Sequence, residues 1–227
     1  MVGDGELGHR LREARKARGL SLRTVAAQAG VSPSLLSQVE NGKTQPSVST
    51  LYSIVSCLEL SVDKLLGNTP GKDAASGGAP AGGGGSVVQR REDAPRIEMQ
   101  NGVTWERMAV AGFTDVDPLH TIYAPGGASS VDGRFMRHSG VEYGYLIEGE
   151  LTLKLEFESY TLRAGDSLCF DSQRPHLYVN ESGAMCRGMW VVVDRVAEME
   201  VPTEGPLVAE GREINSAVDV LDALHSR

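Results

Sequence analysis

At 227 residues, 41% apolar and 23% charged, the chain has enough material for two modest globular domains; it holds no apolar run long enough to span a membrane and no signal-peptide core in MVGDGELGHR, so the expected location is the cytoplasm. The net charge of −8 is unevenly shared, with nine Lys or Arg against six Asp or Glu in residues 1–72 and thirteen against twenty-four in the rest, so only the first third is suited to an anionic partner. Three cysteines, Cys57, Cys169 and Cys186, lack metal-site spacing and are odd in number, which fits reduced core thiols, with a Cys169–Cys186 redox switch as the alternative.

Between Leu22 and Gly42 the sequence LRTVAAQAGVSPSLLSQVENG predicts two short helices around a tight turn. Small or apolar residues recur at Val25, Ala26, Ala29, Val31, Leu36 and Val39, and Gly30 stands where the chain must reverse. Ser32 and Pro33 suit the start of the second helix, since the hydroxyl can accept an orphan amide bond and proline presets φ. Gly42 suits its end. Leu35, Leu36 and Val39 share one face of this helix, leaving Ser34, Ser37, Gln38 and Asn41 turned outward. Gln38 has the paired donor and acceptor that read an adenine edge, and the serines can reach a base or a phosphate. Arg10, Arg12, Arg15, Lys16, Arg18 and Arg23 crowd the preceding segment, where a phosphate backbone would pass. Some of these are expected to be structural, Arg15 through a pair with Glu40.

From Leu7 to Gly67 the chain resembles the five-helix DNA-binding domain of the phage-repressor-like XRE (Cro/CI) regulators. The residues that carry the likeness include REARKARGLS, Ala26, Gly30, SQVENGKTQPS and the closing SVDKLLG. The resemblance implies a recognition helix over Pro33 to Glu40, with Asn41 and Lys43 near phosphates. The expected DNA-binding set is Arg23, Ser32, Ser34, Ser37, Gln38, Asn41 and Lys43.

Residues 68–86, NTPGKDAASGGAPAGGGGS, have no apolar face to bury and read as a flexible linker that leaves the flanking domains without a fixed mutual orientation. Beyond it, residues 87–194 alternate with period two, most clearly at Leu151, Leu153, Leu155 and Phe157. Further strands are expected around 103–111, 119–124, 133–138, 143–148, 160–163, 167–171, 176–180 and 185–193, separated by turns at 125–127, 148–150 and 164–166. Many short, evenly spaced strands predict an all-β sandwich or barrel.

HSGVEYGYLIEGEL, from His138, and LRAGDSLCFDSQRPHLYVN, ending at Asn180, are similar to the paired motifs of the cupin superfamily, a double-stranded β-helix barrel. The first motif is matched at His138, Glu142 and Gly149, the second at Gly165, His176 and Asn180, while Asp171 and Gln173 replace the expected Pro and Gly. The resemblance implies a metal site at His138, Glu142 and His176 for a divalent ion such as Fe, Zn, Mn or Ni. Met136 stands where the family's first histidine would, and a thioether is a poor ligand for such ions. Two histidines and a carboxylate still suit iron(II) with open positions; the same three groups can equally form a hydrogen-bonded cluster at the polar end of a ligand pocket. Arg134, Met136 and Tyr178 are the expected effector-pocket residues, Arg134 by sharing a strand face with Met136 and His138. The extension at 195–227 predicts a short amphipathic helix through Ile214, Ala217, Val218, Leu221 and Leu224.

Taken together, a helix-turn-helix domain at 1–67, a linker at 68–86 and a barrel at 87–194 resemble the XRE-cupin transcription regulators. The resemblance implies a homodimer that grips a two-fold symmetric operator and senses a small-molecule effector in the barrel. The same layout also resembles an iron-dependent hydroxypropylphosphonate epoxidase whose barrel keeps two His and one Glu. Against that alternative, the recognition helix and basic first helix here are intact.

Overall fold

The protein is described by a computed structural model over residues 4–60, 65, 88–110, 116–193, 208–209 and 212–213. The expected linker, the expected C-terminal helix, and all of the expected fifth helix of the first domain except Leu65 lie outside the described residues. Leu65 is helical and buried.

Among the described residues, four helices make up the first domain: α1 (Asp4–Ala17), α2 (Leu22–Gln28), α3 (Pro33–Glu40) and α4 (Val48–Cys57). Three of them start on a serine in extended conformation whose hydroxyl accepts an amide: Ser21 from Thr24, Ser32 from Leu35 and Ser47 from Thr50. Leu11, Val25, Leu36, Leu51, Ile54 and Leu58 are at most 1% exposed and fill the centre. Each contributes about 2 kcal/mol by leaving water. Gly8 lets α1 cross α3 closely, since a Cβ there would lie 2.2 Å from the Val39 carbonyl oxygen. At the same crossing Arg15 grips the buried Glu40 with two hydrogen bonds, Nε to Oε1 at 2.6 Å and Nη2 to Oε2 at 2.8 Å.

In the second domain the strands are β1 (Arg96–Glu98), β2 (Val103–Arg107), β3 (Val116–Tyr123), β4 (Val141–Glu148), β5 (Glu150–Leu155), β6 (Glu158–Arg163), β7 (Ser167–Asp171), β8 (His176–Val179) and β9 (Cys186–Val193). All pair antiparallel, in one sheet of order β1-β2-β3-β9-β4-β7 and another of order β6-β5-β8. Alternation sends Glu142, Gly144 and Leu146 of β4 inward, beside Trp190 and Val192 of β9. Gly144 and Gly188 have to be small, because a Cβ on either would meet the Trp190 ring, at 3.0 and 2.2 Å. Gly149 turns the β4–β5 corner at φ +84°, where a side chain would also strike the Met185 carbonyl.

Two strand expectations are corrected. Residues 133–138 form no strand; Met136 makes an isolated bridge to His176, while Gly133 turns at φ +74° and leaves Arg134 and Phe135 exposed. Phe157 does not continue the buried row of Leu151, Leu153 and Leu155, because β5 ends at Leu155 and Glu156 turns at φ +56° into the β6 hairpin. The thiols also divide differently from the expected core set. Cys186 faces inward, Cys169 is exposed on β7 and Cys57 is half-buried on α4. Burial pushes the Cys186 thiol up to about 12, the Glu148 carboxylate adding to the shift, which leaves it a poor nucleophile.

The two domains touch. The Ser49 amide donates to the Ser129 carbonyl at 2.9 Å, the Gln100 amide to the Pro46 carbonyl at 2.9 Å, and Arg134 Nη1 to the Gly30 carbonyl at 3.0 Å. Whatever freedom the linker composition permits, in this structure α4 rests on the barrel. Residues 196–227 form a separate unit in which Val208–Ala209 pairs antiparallel with Arg212–Glu213.

Candidate DNA interface and barrel site

On α3, Ser34 and Gln38 are exposed opposite the buried Leu36 and Val39, as the pattern predicts, and Arg23, Ser32, Asn41 and Lys43 are exposed around them. Three members of the expected set already have internal duties. Ser32 spends a lone pair on the Leu35 amide at 3.0 Å, and Asn41 donates its side-chain amide to the Ser37 carbonyl at 2.7 Å, leaving Ser37 half-buried. Gln38, Ser34, Arg23 and Lys43 are therefore the better placed groups for direct contact. Of the basic side chains before them, Arg10 donates to the Leu65 carbonyl, Arg18 to the Glu59 carbonyl and Lys16 to the Glu13 carboxylate, whereas Arg12 and Arg23 face water.

Inside the barrel, β4 supplies Glu142, β8 supplies His176, and the segment before β4 supplies His138. Their ligand atoms all lie within 4.8 Å of one another, and the three side chains are buried. Each imidazole is oriented through its far nitrogen, His138 Nδ1 on the Ser139 carbonyl at 3.1 Å and His176 Nδ1 on the Arg174 carbonyl at 2.8 Å. A ring that donates from Nδ1 carries a lone pair on Nε2 when neutral. Both Nε2 atoms point to Glu142 Oε2, at 3.3 and 3.5 Å, and neither has a hydrogen-bond partner. Two lone pairs and an anionic oxygen repel unless a cation lies among them, so these donors fit a metal ion.

The other carboxylate oxygen is held from the opposite side. Tyr178 donates its OH to Glu142 Oε1 at 2.6 Å and accepts from Trp190 Nε1 at 3.1 Å, giving a chain of three buried groups that fixes the carboxylate. Burial alone would raise the Glu142 pKa, but the two neighbouring imidazoles and the Tyr178 hydroxyl outweigh it and hold the group below the ordinary carboxylate range. Burial likewise lowers the His176 pKa, against the opposing attraction of Glu142.

Met136 and Tyr178 line the cavity beside this cluster. Arg134 does not. Its guanidinium pairs with Asp132 at 2.7 Å and reaches out to Gly30, because the segment it sits on is a turn and not a strand. Asn180 serves structure: its amide donates to the carbonyls of Tyr123, Ala124 and Ala184 and its oxygen accepts from Ser182, tying three turns together. Asp171 takes up the turn expected of Pro and Gly by accepting the Gln173 amide at 3.0 Å.

Tyr52 of α4 is the site residue that sequence reasoning misses. Its ring stacks on His138 with centroids 4.0 Å apart and planes 7° from parallel, and it meets Trp105 edge-on at 5.5 Å. Nothing in LYSIV distinguishes this tyrosine from a core residue of its own helix, and its neighbour lies 86 positions along the chain.

A helix-turn-helix family profile matches residues 11–65, and a cupin domain profile matches residues 119–192. The chain is 29% identical over 182 residues to the HTH-type transcriptional regulator PuuR of Escherichia coli (strain K12), an alignment that spans 79% of this chain and 90% of that protein. Among solved structures, an HTH_3 family transcriptional regulator from Vibrio cholerae superposes with a TM-score of 0.61 over 85% of this chain and 97% of its own, at 21% identity, and so shares the fold. The hydroxypropylphosphonic acid epoxidase of S. wedmorenis aligns over 84% of this chain and 98% of its own at 18% identity and a TM-score of 0.42, too loose a superposition to bear on chemistry.

Proposed function

We propose, on the premise that this chain belongs to the XRE-type regulators that join a helix-turn-helix domain to a cupin barrel, that it is a sequence-specific DNA-binding transcriptional regulator. The observation that carries this reading is the α3 surface, where Ser34 and Gln38 stand exposed on a helix locked from behind by Leu36, Val39 and the Arg15–Glu40 pair. A rigid helix with an outward polar row, flanked by Arg23 and Lys43, is what major-groove reading requires. One such helix makes too few contacts for specificity, so the functional unit is a homodimer on a two-fold symmetric operator. It acts in the cytoplasm. The acidic barrel half stands off from the DNA and holds a small-molecule effector beside Met136 and Tyr178.

His138, Glu142 and His176 would hold a divalent ion, one of Fe, Zn, Mn or Ni. When bound, the ion supplies a Lewis-acidic anchor for an oxygen-bearing ligand. The protein's own share is orientation: the Ser139 and Arg174 carbonyls set the two rings, and Tyr178 sets the carboxylate. The donor set alone also favours a second reading, an iron-dependent oxygenase; dioxygen consumption with iron and a phosphonate would reveal it.

The test is recovery of bound fragments from sheared genomic DNA at near-physiological salt, with a Ser37→Ala, Gln38→Ala double variant alongside. Enrichment of fragments that share an inverted repeat, lost in the variant, is the expected result. Enrichment that the variant leaves unchanged would refute the assignment of α3. For the metal, wild type purified without chelator should retain an ion that His176→Ala does not; equal, near-zero contents would end that reading.

A further inference from the structure

The barrel cavity is not walled by the barrel alone. Val48 and Tyr52, both on α4 of the DNA-binding domain, line it together with Trp105, Met136, Glu142 and Tyr178. With α4 in place the remaining space is about 20 Å³, room for one water molecule and nothing larger. Val48 is 1% exposed and Tyr52 7% exposed, and the Tyr52 ring lies flat on His138, on the side of the cavity that faces the helical domain.

We propose that α4 is the roof of the ligand cavity, with Tyr52 its closing side chain, so that a ligand larger than water enters only when the DNA-binding domain lifts from the barrel. This rests on the reading of the barrel as an effector site, and the roof is tested below without any ligand, so the two can fail separately.

The contacts around the roof suit a reversible closure. Among the described residues they include the backbone hydrogen bonds Ser49 to Ser129 and Gln100 to Pro46, the Arg134 bond to Gly30, and the Tyr52 ring contacts with His138 and Trp105. Interfaces between domains of one chain are commonly this modest, and relative motion is their ordinary behaviour. The Arg134 bond has a second consequence. Gly30 is in the turn between α2 and α3, so the closed roof also fixes the recognition helix relative to the barrel. A ligand that takes the space of Tyr52 and Val48 therefore releases α3 from that position. By linkage, anything that holds α3 in the released position raises ligand affinity by the same factor.

The experiment is site-resolved thiol labelling of the full chain, read by mass spectrometry, in two single variants. Val48→Cys places a thiol in the roof, and Val25→Cys places one in the core of the helical domain, where only unfolding of that domain exposes it. If the roof lifts as a body, the Val48→Cys thiol labels about tenfold or more faster than the Val25→Cys thiol under native conditions. Adding Arg134→Ala, which removes a charged donor outside the cavity, then speeds Val48→Cys labelling about fivefold. Equal rates for the two thiols, or a Val48→Cys rate indifferent to Arg134→Ala, would overturn the proposal.

Discussion

Glu142 is 3% exposed and has both oxygens engaged, one facing two imidazole nitrogens and the other bound by Tyr178. Tyr178→Phe keeps the ring and removes the donor, so one carboxylate oxygen loses its partner in the dry interior. The variant should lose about 1–3 kcal/mol of stability and bind its metal roughly tenfold more weakly. Urea unfolding and competition against a chelating dye measure the two effects; wild-type values in both would mean that the hydroxyl does not hold the carboxylate. Arg15→Ala poses the same question in the helical domain, where Glu40 would be left buried without its cation. A loss of about 3 kcal/mol in unfolding free energy is expected, and a loss below about 1 kcal/mol would assign the pair to the solvent-screened class. The sequence announces His138, Glu142 and His176 because the barrel motif spaces them regularly, and it suggests the Arg15–Glu40 pair through charge alone. It misplaces Arg134, because a residue on an expected strand face points inward by counting, and the turn at Gly133 breaks the count.

Among the elements, α3 was the most legible, since Ser32, Pro33 and Gly42 act on their immediate neighbours and need no distant partner to be understood. The strands from β4 to β9 were nearly as clear, because a sheet with one face in the core has to alternate. Segment 133–138 was not, as its apolar Phe135 and Met136 imitate a strand while only Met136 finds a bridging partner. Short β1 also escaped notice, being three residues long and held only along β2. Two substitutions separate the roles of the DNA-facing groups. Gln38→Ala should alter base preference at one position of each half-site, costing about 1–3 kcal/mol there. Lys43→Ala should weaken binding to every duplex and reduce the salt slope by about one unit. Binding to a randomised duplex pool at several salt concentrations distinguishes them, and two variants that both track wild type would show that this face does not meet DNA.

For the molecule as a whole, metal and fold are linked through the buried triad. A divalent ion at about a hundred times its Kd adds about 2.7 kcal/mol to the native state, so dialysis against a chelator should lower the unfolding midpoint and restoring the ion should recover it. In His176→Ala the midpoint should ignore both treatments. The contact between α4 and the barrel could not be foreseen from a linker of glycine and alanine, because composition reports what a segment permits and not what its ends find to bind. That contact brings Tyr52 to Trp105, while Trp190 donates to the Tyr178 hydroxyl that holds Glu142. These are the chain's two tryptophans. All of its indole emission thus originates in the cavity wall, one fluorophore under the roof and the other wired to the carboxylate, so ultraviolet light alone can follow the site without a label.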